Sequence, residues 1–125
     1  MKFDRNGTTE KSAAYLPNVA TTLNNLAILY MLQGDGSQAY DMISEAMKIR
    51  RDLWHKQSTA FGNDLAQSLV IEGLILFQQH ASDTVTACRR WEEAYQVAIS
   101  ITLKQSIQKQ ISQQCSREES SKSTP

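Results

Sequence analysis

Side chains that could carry out chemistry are few in this chain of 125 residues, and they are scattered along it. The two histidines, His55 and His80, have no second ligand at the spacing of a metal site. Cys88 and Cys115 lie far apart, and the sequence places no base beside either thiol that would make it a nucleophile. Nothing around the acidic pair Glu92-Glu93 implies a pocket. We therefore expect no catalysis, no bound metal ion and no cofactor.

The two cysteines also bear on the cellular compartment. We expect Cys88 to be a small core residue and Cys115 an exposed thiol in the C-terminal tail. Two lone thiols fit a reducing cytoplasm better than a disulfide framework. The N-terminal residues lack the apolar core of a secretory signal, and no window approaches ~18 consecutive apolar residues. The expectation is a cytoplasmic protein without a membrane span.

The charge balance of the chain argues against two further classes of partner. The chain has thirteen basic and thirteen acidic residues, so its formal net charge is zero. No long-range field therefore recruits nucleic acid or an anionic membrane. Aromatic residues make up 7% of the chain, and no basic run interleaves them into a platform for stacking bases. We expect neither nucleic-acid nor membrane binding.

The remaining chemistry is hydrogen bonding by the adjacent amides Asn24 and Asn25. Each side chain can both donate and accept, so the two could pair with the backbone of an extended peptide. The alternative is a solvated pair on an exposed helix face. Which of the two applies depends on the elements that position these residues.

An internal repeat organises those elements. The segments Ser12–Gly34 and Ser58–His80 align without a gap at a fixed offset of 46 residues, since 61 − 15 = 46. At this offset Tyr15 matches Phe61, and several small or apolar residues of the first segment match similar residues of the second. A period of a few tens of residues is typical of stacked repeats, in which function lies in a shared surface.

Apolar residues recur at three- and four-residue steps in four segments, and no strand pattern is present, which predicts an all-α fold. The first helix contains Val19–Gln33 and is helix A, the first of the two helices of its hairpin, and Pro17 suits its first turn. Gly34 is suited to the left-handed conformation that ends it, and Asp35 or Ser37 can cap the second helix.

Later boundaries follow the same signals. The second helix gathers the surface charges Lys48, Arg50 and Arg51 near its C-terminal end, where the helix dipole favours cations. A loop at Trp54–Phe61 leads to a third helix that opens at Gly62-Asn63-Asp64 and runs to Gln79, and Ser82-Asp83 caps a fourth. The predicted organisation is a flexible segment 1–13, helical hairpins 14–54 and 60–101, a segment 102–113 that could form a helical cap, and a disordered tail 114–125.

The first hairpin resembles the tetratricopeptide repeat, and especially the longer repeats of kinesin light chains and related bacterial proteins. The residues that carry the resemblance are Val19–Ala27, Tyr30, Gly34, Ala39 and Glu45-Ala46. The match is specific over residues 14–53 and degenerate over 60–101. The resemblance implies an α-solenoid of about two repeats, a right-handed superhelix whose A helices line a concave groove for a peptide or partner protein.

Carried onto this sequence, that groove face would include polar and apolar side chains from both A helices. The candidate partner-binding residues are Thr21, Asn24, Asn25, Ile28, Met31, Gln67, Val70, Leu74 and Phe77. An exposed apolar surface of this size usually marks a contact, although the chain's own tail could cover it. Neither Ser12–Gly34 nor Ser58–His80 contains Lys or Arg, which argues against a clamp for a C-terminal carboxylate.

One residue departs from the repeat pattern. Glu72 stands where the first unit has Leu26, on or beside the packing stripe. It could be a buried partner of Arg89 or Arg90, or it could rotate toward solvent, and the second is the interpretation we favour.

Two repeats leave the ends of a stack uncovered, because each repeat buries its apolar face against a neighbour. The N-terminal end should therefore expose leucine and tyrosine side chains of the first helix. We expect self-association through these ends or a chain that is part of a longer array. The predicted function is a protein-interaction module without catalysis, and the alternative is a structural assembly subunit without a peptide ligand.

Overall fold

A computed structural model describes the chain over residues 10–79 and 84–123, and its side chains over 15–79 and 84–115. Over the described residues there are five helices and no strand, so the all-α prediction is confirmed. The helices are α1 (Glu10–Leu32), α2 (Gly36–Lys56), α3 (Ser58–Gln79), α4 (Thr84–Val97) and α5 (Ile101–Ser123).

Each helix packs mainly against the helices that precede and follow it in the chain, and α1 also touches α3. The centre of the packing is α3, whose buried side chains face α2 on one side and α4 on the other. The predicted cap at Ser82-Asp83, the residue His80 and the start of the predicted flexible segment (residues 1–9) lie outside the described residues.

The turn between α1 and α2 follows the sequence prediction in detail. Gly34 has a φ of 81°, a left-handed conformation that costs a glycine little. The N–H of Asp35 donates to the carbonyl of Tyr30 at 2.9 Å, and the N–H of Gly34 donates to that of Met31 at 3.0 Å. These two bonds close the C-terminal end of α1 as a Schellman motif. The Asp35 carboxylate then caps α2 by accepting from the backbone N–H of Gln38 at 3.2 Å.

The boundary between α2 and α3 differs from the prediction. The expected loop at Trp54–Phe61 is mostly helical, and only Gln57 separates the two helices. Gly62 does not begin a helix, because α3 already starts at Ser58. A Cβ at Gly62 would overlap the backbone carbonyl of Val97, so the glycine permits close packing against α3. Its neighbour Asn63 accepts from the backbone N–H groups of Ile99 and Ser100 at 2.7 and 3.0 Å. Gly62 and Asn63 thus mark where the connection between α4 and α5 packs against α3.

Two further helix limits were predicted wrongly. α1 begins at Glu10, so Pro17 lies inside the helix, where it supplies no N–H to the backbone ladder. α4 ends at Val97 and α5 begins at Ile101, whereas one helix was expected to continue to residue 101. Ser100 explains the new start, because its hydroxyl accepts from the N–H of Leu103 and caps α5.

α5 is longer than the expected cap over 102–113, and its backbone includes residues 114–123, where a disordered tail was predicted. The sequence pattern underestimated its packing. Ile107 is 3% exposed, and Ile111 and Cys115 follow it at four-residue steps along the same helix face.

The cysteines are not lone thiols. Cys88 of α4 and Cys115 of α5 form a disulfide with a Cα–Cα distance of 6.0 Å, across a sequence separation of 27 residues. Cys115 is 9% exposed, which corrects its assignment as an exposed tail thiol. Distance along the chain concealed the pairing, because the antiparallel turn at residues 98–100 brings the two helices back together. The cysteines therefore give no support for a reducing compartment.

α3 also has the length and apolar composition of a membrane-spanning helix. Its apolar side chains have partners within the fold, since Leu65, Leu69 and Ile75 are fully or almost fully buried against neighbouring helices. A core helix of this kind meets the same length and composition test.

The contact between α3 and α4 centres on Trp91, which is fully buried. Its indole N–H donates to the carbonyl of Val70 at 3.1 Å, and its ring lies 5.9 Å from that of Phe77, centroid to centroid. Gly73 lies directly beneath the indole, where an added Cβ would overlap the ring nitrogen and two ring carbons. The large residue therefore needs the small one opposite it.

We predict that Gly73→Ala lowers the free energy of unfolding by about 1–3 kcal/mol, because the methyl group forces the indole away from Val70. Gly36→Ala is the matched control, since the nearest atoms to its Cβ would belong to the flexible, exposed side chain of Gln79. Urea denaturation of both variants checks the prediction. A Gly73→Ala protein as stable as Gly36→Ala would show that the indole has room to shift.

Candidate partner-binding groove

A groove of about 390 Å³ runs between α1, α3 and α5. Five of the predicted partner-binding residues line it, and the remainder of the lining comes mostly from α5. The lining residues are Asn24, Asn25, Ile28, Gln67, Val70, Ile71, Leu103, Ser106, Ile107 and Gln110. None of these ten side chains carries a formal charge.

The other four predicted residues lie outside the groove lining. Thr21 is exposed one turn before Asn25 on α1, and Met31 packs against the α1–α2 core. Leu74 and Phe77 are half-buried against the cluster of Ala87, Trp91 and Cys115. The predicted face is therefore divided: five residues line the open groove, and Leu74 and Phe77 pack against the C-terminal helices, while Thr21 and Met31 belong to neither part.

Asn24 and Asn25 differ sharply although they are adjacent. Asn24 is 6% exposed, and its carboxamide oxygen accepts a hydrogen bond of 2.8 Å from the hydroxyl of Ser68, which is fully buried. Asn25 is exposed at the groove wall. The acceptor of Asn24 is therefore already occupied inside the fold, and Asn25 is the amide of the pair that faces the open groove.

The buried hydrogen bond between α1 and α3 continues to α2 through Arg50. This residue was expected among the surface charges, but it is 5% exposed. Its Nη1 donates to the backbone carbonyl of Asp64 and to the hydroxyl of Ser68, both at 3.0 Å, and its Nη2 donates to the hydroxyl of Thr21 at 3.2 Å. That hydroxyl donates in turn to the carbonyl of Pro17 at 3.0 Å. The guanidinium thus joins three helices beneath the groove.

Burial lowers the pKa of the Arg50 guanidinium, and the nearby charge of Asp64 acts in the opposite direction. A guanidinium still remains protonated under these conditions. No ion pair with a carboxylate forms at Arg50 within the described part of the chain. The buried charge is instead compensated by neutral oxygens.

The α5 wall of the groove was missed in the sequence analysis, although one signal could have found it. Applying the offset of the repeat a second time places Ile107 at the position of Phe61, since 107 − 61 = 46, and Cys115 at that of Leu69. Ile107 and Cys115 are both buried. These two buried residues of α5 thus fall at the repeat offset, and the polar residues between them hid the pattern.

The favoured interpretation of Glu72 is wrong. Glu72 is 5% exposed, and its Oε1 lies 2.9 Å from Nε of Arg90. The pair is close but poorly aligned for a hydrogen bond. Burial raises the pKa of the Glu72 carboxyl, while the charges of Arg90 and Arg51 lower it in part and that of Glu93 raises it. Burial is the largest of these effects, so the ion pair does not fully compensate the desolvated carboxylate.

Glu93 completes this group of charges, since its carboxylate lies 2.6 Å from Nη1 of Arg51. The group joins α2, α3 and α4 and does not include a groove residue. Over the residues that the structure describes, no three histidine, cysteine or acidic side chains cluster as metal ligands would.

Comparison of the chain with protein-family models, curated proteins and solved structures finds no match. The resemblance to tetratricopeptide repeats therefore depends on the sequence pattern quoted above. The geometry of the groove and the chemistry of its lining are the basis for a functional proposal.

We predict that Asn24→Ala lowers the free energy of unfolding by about 1–3 kcal/mol, because it removes the acceptor of a buried Ser68 hydroxyl. Asn25→Ala is the matched control, and at an exposed site it should change stability by less than about 0.5 kcal/mol. Thermal and urea denaturation measure both effects. Equal stability of the two variants would contradict the structural role of Asn24.

We predict that Glu72→Gln makes the protein more stable at neutral pH. The pKa of Glu72 is higher in the folded than in the unfolded state. The protonated carboxyl therefore contributes fully to the free energy of unfolding below the unfolded pKa, and this contribution is lost as pH rises through the folded pKa. Glutamine cannot ionise and avoids this loss.

Urea denaturation of both proteins from pH 4 to pH 8 tests the sign. The stability advantage of Glu72→Gln should grow from the acidic end of this range toward neutrality. A variant that is less stable than the wild type at pH 7 would show that attraction by Arg90 outweighs the cost of burial.

Proposed function

We propose that this chain is a non-catalytic protein-interaction module that binds an extended peptide segment in the groove between α1, α3 and α5. We infer that its helical hairpins are of the tetratricopeptide type, with α1, α3 and α5 in the places of A helices. The observation that carries the proposal is the groove itself, whose ten lining residues come from three helices and carry no formal charge.

The groove chemistry suits a peptide backbone. Asn25, Gln67 and Gln110 bring amides from three different helices, and each amide can both donate and accept. Ile28 and Val70 supply half-buried apolar surface between the amides. Backbone groups of an extended peptide alternate donors and acceptors, so polar contacts can supply orientation while apolar side chains supply burial. The uncharged lining favours a segment whose groove-facing side chains are also uncharged.

The second candidate is a structural subunit that assembles through its end, and one observation favours it. On α1, Leu29 is 49% exposed, whereas the matching residue of α3, Ile75, is 1% exposed because α2 covers it. Tyr15 and Leu32 are 64% and 75% exposed. This apolar surface of α1 has the character of a contact surface without being part of the groove.

Selection from a displayed library of random peptides tests the groove. Peptides that bind the wild type should bind Gln67→Arg and Asn25→Arg at least about tenfold more weakly, because each new side chain fills the groove with a bulky charge. Gln105→Arg is the matched control, an exposed amide of α5 that does not line the groove. Its affinity should stay within about twofold of the wild type.

Two outcomes would contradict the proposal. Peptides that bind all four proteins equally would place the binding surface elsewhere. Failure to select any peptide, together with a homo-oligomer in sedimentation velocity, would favour the assembly subunit.

A further inference from the structure

We propose that the Cys88–Cys115 disulfide is a redox-operated latch on the proposed binding surface. In the disulfide form it holds the C-terminal part of α5 against the apolar cluster that α3 and α4 form around Trp91. In the dithiol form that part of α5 is released and the side chains beneath it become accessible. This proposal rests on the proposed function, because it describes how the same surface is opened and closed.

The disulfide lies in a part of α5 that makes few other contacts. The first half of α5 has several non-covalent anchors. Its start is tied to Asn63 through Ser100, Lys104 donates to the carbonyl of Tyr95 at 2.5 Å and lies 4.3 Å from the centre of the Tyr95 ring, and Ile107 is buried.

Beyond Ile107 the helix is mostly polar. The residues from Gln108 to Gln114 have exposed or half-buried side chains, and Ile111 is the only apolar one among them. Cys115 then returns to the interior at 9% exposure. In this stretch the covalent bond to α4 supplements a single half-buried isoleucine. A polar helix without tertiary contacts is only marginally stable in water, so the bond decides where this part of α5 lies.

Predicted partner-binding residues of α3 lie at the apolar cluster next to the latch. Val70, Leu74 and Phe77 of α3 pack at the cluster formed by Ala87, Trp91 and Cys115. Val70 already lines the open groove together with Gln67, and Leu74 and Phe77 were expected on the same face. Release of this part of α5 would withdraw Gln110 from the groove wall and would extend the groove along α3 toward Leu74 and Phe77.

The chemistry is a two-electron thiol–disulfide exchange with an external dithiol reductant. A thiolate of the reductant attacks the sulfur of Cys88, the more exposed of the two residues, and the Cys115 thiolate leaves and takes up a proton. The second thiol of the reductant then attacks its own sulfur in the mixed disulfide and displaces the Cys88 thiolate. The protein gains two thiols, and the reductant becomes a cyclic disulfide.

Hydrogen–deuterium exchange on the full chain tests the latch without any ligand. Addition of dithiothreitol to the oxidised wild type should make amides 108–115 exchange at least about tenfold faster, while those of α2 and α3 keep their protection. Mass spectrometry in the absence of reductant verifies the starting state, since the disulfide form lacks two hydrogens. A dye that binds exposed apolar surface should become more fluorescent on reduction.

The double variant Cys88→Ser/Cys115→Ser is the control for the reductant. It should show the fast exchange at all times and should not respond to dithiothreitol. The wild-type experiment needs no substitution, so it decides the matter even where the variant folds poorly.

Three results would overturn the latch: no disulfide under mild oxidation, unchanged exchange of amides 108–115 on reduction, or loss of protection in all helices together. The last result would make the bond a staple of the whole fold. None of these readouts uses a peptide, so the latch can fail while groove binding stands, and loss of groove binding leaves the exchange result unaffected.

Discussion

The contact on which the arrangement of the first three helices depends is the buried guanidinium of Arg50. A charged group taken out of water is costly unless oxygens surround it. Those oxygens come from Thr21 of α1 and from Asp64 and Ser68 of α3. A shift of either helix along its axis would break bonds in an interior where nothing replaces them. Apolar packing brings α1, α2 and α3 together, and Arg50 selects one register among the packings available.

This network also shapes the proposed binding surface. Adjacent residues on a helix are rotated by about 100°, so two neighbouring asparagines cannot face the same environment. Asn24 turns inward to Ser68, and Asn25 turns to the groove wall. The inner amide fixes the distance between α1 and α3, and that distance determines the width of the groove. Two adjacent residues of the same type thus have different roles: Asn24 holds α1 to α3, and Asn25 is exposed in the groove proposed to bind a peptide.

The sequence was sufficient for much of the fold, because helix signals are local. Gly34 and Asp35 predicted the first turn correctly, since a left-handed glycine and a capping carboxylate act within a few residues. The Gly62-Asn63 signal failed for the opposite reason. Its glycine accommodates Val97 and its asparagine caps a connection more than 30 residues away, which no local pattern can show.

The candidate site was predictable to a similar degree. The A-helix resemblance named five of the ten groove residues, but it could not supply the α5 wall. Burial of Glu72 and Arg50 was hidden because charged side chains at core positions are rare, and their partners lie on other helices. The pairing of Cys88 with Cys115 required the antiparallel return of α5 to be known first.

The two sides of the fold are stabilised by different interactions, and this difference constrains how function could be regulated. On the side of α1, α2 and α3, buried hydrogen bonds to Arg50 add to an apolar core, and no disulfide joins these three helices because both cysteines lie in α4 and α5. On the side of α4 and α5, Trp91 secures α4 against α3, whereas the polar half of α5 depends on the disulfide. Cleaving that bond removes one restraint from one helix while the core around Leu65 and Leu69 keeps its packing. A chemical change at Cys88 and Cys115 can therefore alter the accessibility of the α3 surface without changing the groove wall that Asn25 and Ile28 provide.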